Sequence, residues 1–236
     1  MSPLREFRSL TTRFEEDIKI DPLRRYYLIF EGANTEKKYF EGVHNNRKDL
    51  GIHSQIEFVI LNKEGDIRNY SHPKKLLELI ESKKKTLKKD GQFDKTIDRF
   101  VIIFDRDSYE NEEAYTKFIE QASEDNMLTV TSPCFELWLI LHYEDVVEKY
   151  VMPNEVSVFD NKKVSSTHTF VSRLFSEISG TNPKSGSFFN KLKGNIDLAI
   201  EQEKVLEQDI LKMATEIGSN VGVLIEQMRE DPRDAL

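Results

Sequence analysis

The chain has 236 residues, 38% of them hydrophobic and 32% charged, with a formal net charge of −8. That length allows one sizeable core, or a core with a smaller helical part. No apolar run approaches the roughly 18 residues of a membrane span and none follows the N-terminus as in a signal peptide, while a single cysteine, Cys134, excludes an internal disulfide and a Cys-rich zinc site.

Together these features lead us to expect a cytoplasmic protein with no membrane contact. The charge is unevenly spread: from Ile196 onward four Lys or Arg stand against ten Asp or Glu, which leaves the first 195 residues near −2, with local basic clusters. Net charge therefore argues neither for nor against a polyanionic substrate.

In chain order, residues 1–22 alternate Arg5, Arg8 and Arg13 with Phe7, Leu10 and Phe14, and are expected to form an N-terminal arm. Arg24 to Phe30 reads as a buried strand ending at Glu31-Gly32. A helix follows, capped at Asn34 or Thr35, with Glu36 in its first turn facing the positive end of the dipole. Glu31, at the strand's carboxyl end, has no such capping role and is a candidate functional residue. Ile56 to Leu61 gives a second strand, and Pro73 opens a helix with Leu76, Leu77, Leu79 and Ile80 on its apolar side. That helix ends in Lys83, Lys84, Lys85, Lys88 and Lys89, more lysine than the dipole needs, and these are candidate nucleic-acid contacts.

Phe100 to Phe104 is an apolar, β-branched run of the kind buried on both faces of a parallel sheet. It leads directly into Asp105-Arg106-Asp107. In open parallel sheets reactive groups lie beyond the carboxyl ends of the strands. Two carboxylates there repel each other unless a proton or cation is shared, and a hard divalent metal is the economical explanation. Tyr109 to Asp125 then reads as a helix and Met127 to Thr131 as a strand. A buried helix from Ser132 to Tyr143 follows, with Ser132 as N-cap and Pro133 in its first turn. Glu136 is the charged exception in that helix and needs a partner. His142 shares the stripe of Phe135 and Trp138, and is expected to be a hydrogen-bonded core histidine.

From Val151 the texture changes to Ser, Thr, Asn and Lys with frequent turn signals. Helices are expected through Phe170–Ile178, Asn195–Met213 and Asn220–Met228. The alternation of strands and helices up to residue 150 indicates an α/β fold, a parallel sheet with helices on both faces, followed by a mainly helical C-terminal region packed on it. Glu31, the Asp105/Asp107 pair and Glu136 then occupy three successive strand ends.

These motifs carry a resemblance. Phe30-Glu31-Gly32 with Thr35-Glu36 and Tyr39-Phe40, then Phe104 to Asp107, then Pro133 to Leu139 with His142, resemble the Rossmann-like Toprim catalytic domain as it occurs in the RloB-like family. That family is associated with restriction and phage-defence loci. Ser132, where an Asn would precede the proline, and Ala33-Asn34, in a loop usually more charged, depart from its pattern and leave every carboxylate in place. The resemblance implies a Toprim-like domain over residues 23–150, with the helical region over 151–236. It also implies Glu31 as general acid/base or metal ligand, and Asp105 and Asp107 as holders of Mg²⁺ (or Mn²⁺). Glu136 joins them as a supporting catalytic residue on position alone. The implied chemistry is phosphodiester cleavage in DNA or RNA, tRNA among the candidates, in antiviral defence. A partner ATPase and a homodimer are the further partner expectations.

Two rivals share these residues. A haloacid-dehalogenase-type phosphatase would use Asp105 as nucleophile, Asp107 as acid and Thr131 or Ser132 as its phosphate-binding hydroxyl, but leaves Glu31 unexplained. A non-catalytic Toprim-like module would bind nucleic acid or an ATPase without cutting.

Overall fold

The structure, a computed structural model, describes residues 22–32, 34–61, 73–181 and 188–231. The expected arm, apart from Pro22, lies outside the described residues. Five strands, β1 (Arg24–Phe30), β2 (Ile56–Ile60), β3 (Asp98–Asp105), β4 (Met127–Ser132) and β5 (Gly218–Ser219), form one sheet in the order β2-β1-β3-β4-β5. The first four are parallel, and β5 pairs antiparallel with β4 through Thr131–Ser219 and Ser132–Gly218.

Alternation along the strands divides the core. Tyr26, Leu28, Phe30, Val101 and Ile103 face one layer, formed by α1 (Thr35–Asn45), α4 (Phe135–Ile140), α6 (Phe170–Ser179), α8 (Ile196–Glu203) and α9 (Val221–Glu230). Tyr27, Ile29, Phe100, Ile102 and Phe104 face the other, formed by α2 (Pro73–Lys89) and α3 (Glu112–Ser123). Each fully buried side chain of this size contributes about 1.5–3 kcal/mol, so β1 and β3, apolar toward both layers, anchor the fold. Short helices α5 (Glu155–Asp160) and α7 (Phe188–Leu192) complete the C-terminal region.

The fold class agrees with the expectation, and several boundaries differ for identifiable reasons. Ser132 remains in β4, paired with Gly218, so it cannot cap a helix. The Pro133 carbonyl accepts the Asp107 N–H at 3.1 Å, and α4 starts only at Phe135 and ends at Ile140. A 3₁₀ turn over Arg106–Ser108 delays α3 to Glu112, where the Asn111 side chain accepts the Ala114 N–H at 2.9 Å. The helix expected through Met213 stops at Glu203. Beyond it the Glu207 carboxylate accepts the N–H groups of Gln208 and Asp209, and its own N–H bonds Ile217 O. Such local side-chain bonds compete with the helical ladder.

The connections set the location of any site. From β1 the chain goes through α1 to β2 on one side, and through α2 to β3 on the other. The point where strand order reverses, between the carboxyl ends of β1 and β3, is where open α/β sheets leave a crevice.

Candidate functional site

Glu31 and Asp105 flank that reversal point. The Asp105 N–H donates to Glu31 Oε2 at 2.9 Å, and the Ser108 hydroxyl donates to Glu31 Oε1 in a short hydrogen bond. The backbone ladder supports the contact, since the Glu31 N–H donates to Ile103 O at 2.9 Å. Asp105 is held in turn by β4: the Thr131 hydroxyl donates to its Oδ1 at 2.8 Å. Asp107 is the middle residue of the 3₁₀ turn, and the Asn161 side-chain amide donates to its Oδ2 at 3.1 Å.

Glu36 and Glu136 close the group. Glu36 is 6% exposed, and its Oε1 accepts the Gly32 N–H at 3.1 Å, so it serves the strand-to-helix turn as well as the helix dipole. A Cβ on residue 32 would fall 2.2 Å from the Glu36 carboxylate, so any larger residue there would displace that side chain. Burial, then the charges of Glu136 and Glu31, push the Glu36 carboxyl up to about 7. Asp105 is raised well above the usual carboxylate range, first by burial and then by Glu36, Glu31, Asp107 and Glu136. Asp107 is raised by its partial removal from water, against which the Asn161 bond and the Arg106 charge act. Glu136, in the first turn of α4, also adjoins Cys134, whose buried thiol is pushed up by burial and by the nearby carboxylates.

Five carboxylates from β1, α1, β3, its following turn and α4 thus act on one another at one rim. Sequence alone gives Glu36 only a capping or dipole role. Its position five residues after Glu31, in the first turn of α1, is the available signal. Asn161 gave no signal, because its role depends on a left-handed backbone (φ 40°) that brings its side chain between Asp107 and the Val171 N–H. Arg106 is turned away from the carboxylates: Nε and Nη2 both donate to Ala214 O, at 3.0 and 2.6 Å, and the guanidinium lies 4.8 Å from the Phe159 ring centre.

The donor set is chemically suited to a hard divalent cation, being oxygen ligands of like charge. Among the described residues, however, no three His, Cys, Asp or Glu side chains form a group that could hold a metal ion. A cation would have to draw these carboxylates inward.

The remaining candidates lie elsewhere. His142 is buried in the core, with Nδ1 3.0 Å from Trp138 O and Nε2 3.1 Å from the Tyr39 hydroxyl, and burial lowers it to about 4. The α2 lysines stand at the C-terminal end of that helix, which leads back to the start of β3, so they occupy the rim opposite the carboxylates. Lys84 in particular is corrected: it is 5% exposed, with Nζ 2.9 Å from Glu81 Oε1 and 3.1 Å from Asp125 O, and is a structural residue.

Fold and rim define an α/β protein with a carboxylate cluster at the switch point of a mostly parallel sheet. Comparison with known families matches residues 26–228 to the RloB-like proteins, and the chain belongs to that family. No curated protein and no solved structure matches it. Among the described residues no helix is long and apolar enough to cross a membrane.

Proposed function

We propose that this chain is a divalent-metal-dependent nuclease of Toprim type, hydrolysing phosphodiesters in DNA or RNA as an effector of anti-phage defence, with tRNA among its candidate substrates. The observation that carries the reading is the direct contact of Glu31 with the Asp105 amide and the Ser108 hydroxyl, which unites the two strand-end motifs. Family membership supports it.

Asp105, Asp107 and Glu31 would hold the ion, Mg²⁺ or Mn²⁺, with Glu36 and Glu136 beside them. When bound, it would supply charge stabilisation at the phosphate and a water of lowered pKa. The chain's own residues do the positioning. Thr131 directs one oxygen of Asp105, Asn161 directs Asp107, and Ser108 with the Asp105 amide fixes both oxygens of Glu31. Glu31, next to the scissile bond, would exchange a proton with the attacking water or leaving oxygen.

The phosphatase alternative uses only Asp105, Asp107 and a hydroxyl, and gives no role to the three glutamates gathered around Asp105. Digestion of mixed DNA and total RNA with Mg²⁺ or Mn²⁺ tests the proposal. Cleavage by wild type and its loss in Glu31→Gln, with an unchanged melting profile, would support it. A wild-type protein that binds nucleic acid but leaves every substrate intact would favour the non-catalytic module.

A further inference from the structure

Residues 161–169 form a small hairpin beside Asp107. Asn161 roots it: this residue is 7% exposed, donates to Asp107 Oδ2 at 3.1 Å and accepts the Val171 N–H at 3.0 Å. The arms pair through an antiparallel bridge between Lys163 and Thr169, with the Phe170 N–H donating to Lys162 O and the Val164 N–H to His168 O, both at 3.0 Å. Lys162 to Thr167 are all exposed, and the run carries two lysines and three hydroxyl residues without a carboxylate. Lys163, two residues beyond Asn161, has its Cα within about 7 Å of that of Asn161.

We infer that this hairpin receives the phosphate backbone of a nucleic acid, with Lys162 and Lys163 as its contacts. The inference rests on the phosphodiesterase reading above. A rim of five carboxylates repels a polyanion, so cations are needed close to the cleavage site, and the α2 lysines are on the wrong rim. Lys162 is paired with Asp160 at 2.6 Å, with its side chain 81% exposed. An exposed pair of this kind is worth little, so the ammonium can be exchanged onto a phosphate. The Ser165, Ser166 and Thr167 hydroxyls suit phosphate and sugar oxygens, which position a chain without reading its sequence. Through Asn161, a strand lying on the hairpin is brought up to Asp107.

The test is fluorescence anisotropy with a labelled single-stranded RNA and the corresponding duplex DNA, Ca²⁺ replacing Mg²⁺, over a series of salt concentrations. The Lys162→Ala/Lys163→Ala protein should bind at least one probe about tenfold more weakly and lose roughly two from the salt slope. Lys85→Ala/Lys89→Ala, on the opposite rim, should bind as wild type does, and melting temperatures should agree among the three. If the hairpin variant binds both probes with wild-type affinity and slope, or the α2 variant carries the loss, the hairpin assignment is overturned and the nuclease reading stands. A wild type that binds neither probe at low salt overturns both together.

Discussion

Replacing Glu36 by Gln should stabilise the metal-free protein at neutral and alkaline pH. Burial together with Glu136 and Glu31 raises the Glu36 carboxyl from 4.5 to about 7 in the folded state. A carboxyl raised on folding holds its proton more tightly in the native protein. Stability therefore falls as pH climbs from the unfolded value, and the loss is complete once pH passes the folded value. At about 1.4 kcal/mol per tenfold change in proton affinity, the ionised side chain costs the fold on the order of 3 kcal/mol at pH 8 and above. Gln keeps an oxygen to accept the Gly32 N–H and cannot ionise. The variant should thus match wild type within about 1 kcal/mol near pH 4.5, and exceed it by about 2–3 kcal/mol at pH 8. Urea unfolding in EDTA at several pH values measures the difference directly. Mg²⁺ should then narrow the gap at pH 8, because the ionised Glu36 beside the ligands strengthens cation binding to wild type relative to the Gln variant. A difference that is flat across pH, or that favours wild type as pH rises, would refute the electrostatic account of the rim.

Glu203→Ala should destabilise by about 3–5 kcal/mol in urea unfolding, since it leaves two buried donors, Ser219 Oγ at 2.6 Å and Gly222 N at 3.0 Å, and two part-buried ones, Gln208 Nε2 at 3.1 Å and Val223 N at 3.3 Å, without an acceptor. Arg106→Lys keeps the charge but loses the forked bond to Ala214 O and the stacking on Phe159. It should lower stability by about 1–2 kcal/mol in thermal melts, and wild-type stability in that variant would show that the fork adds nothing. Thr131→Val should reduce nucleic-acid cleavage severalfold with little change in melting temperature, since its hydroxyl only directs Asp105 Oδ1. Unchanged turnover would remove Thr131 from the site.

The sheet was legible because burial on both faces writes itself into composition: Tyr26 to Phe30 and Phe100 to Phe104 are continuous apolar runs, and their ends locate Glu31 and Asp105. β5 is not legible in the sequence, since two residues beginning with glycine carry no periodic signal and are in a strand only through their pairing with Thr131 and Ser132 of β4. The burial of Lys84 was written in the helical spacing, four residues after Ile80 and three before Leu87, both buried, but the run of lysines around it suggested a solvated end. Glu36 reads as a helix-start residue because that local explanation is sufficient, and it is half of what the side chain does. That it also meets Glu136, one hundred residues away, follows from chain topology rather than from any local pattern. Asn161 depends on a left-handed backbone and a tertiary contact, neither of which residue type alone specifies.

The central claim is that Glu31, Asp105 and Asp107 share a divalent cation at the switch point of the sheet. Isothermal titration of Mn²⁺ into wild type and into Asp105→Ala, with folding of both verified by their unfolding curves, tests it directly. The account predicts saturable binding to wild type that is lost or weakened at least tenfold in the variant. Equal binding to both proteins, or none to wild type, would contradict it.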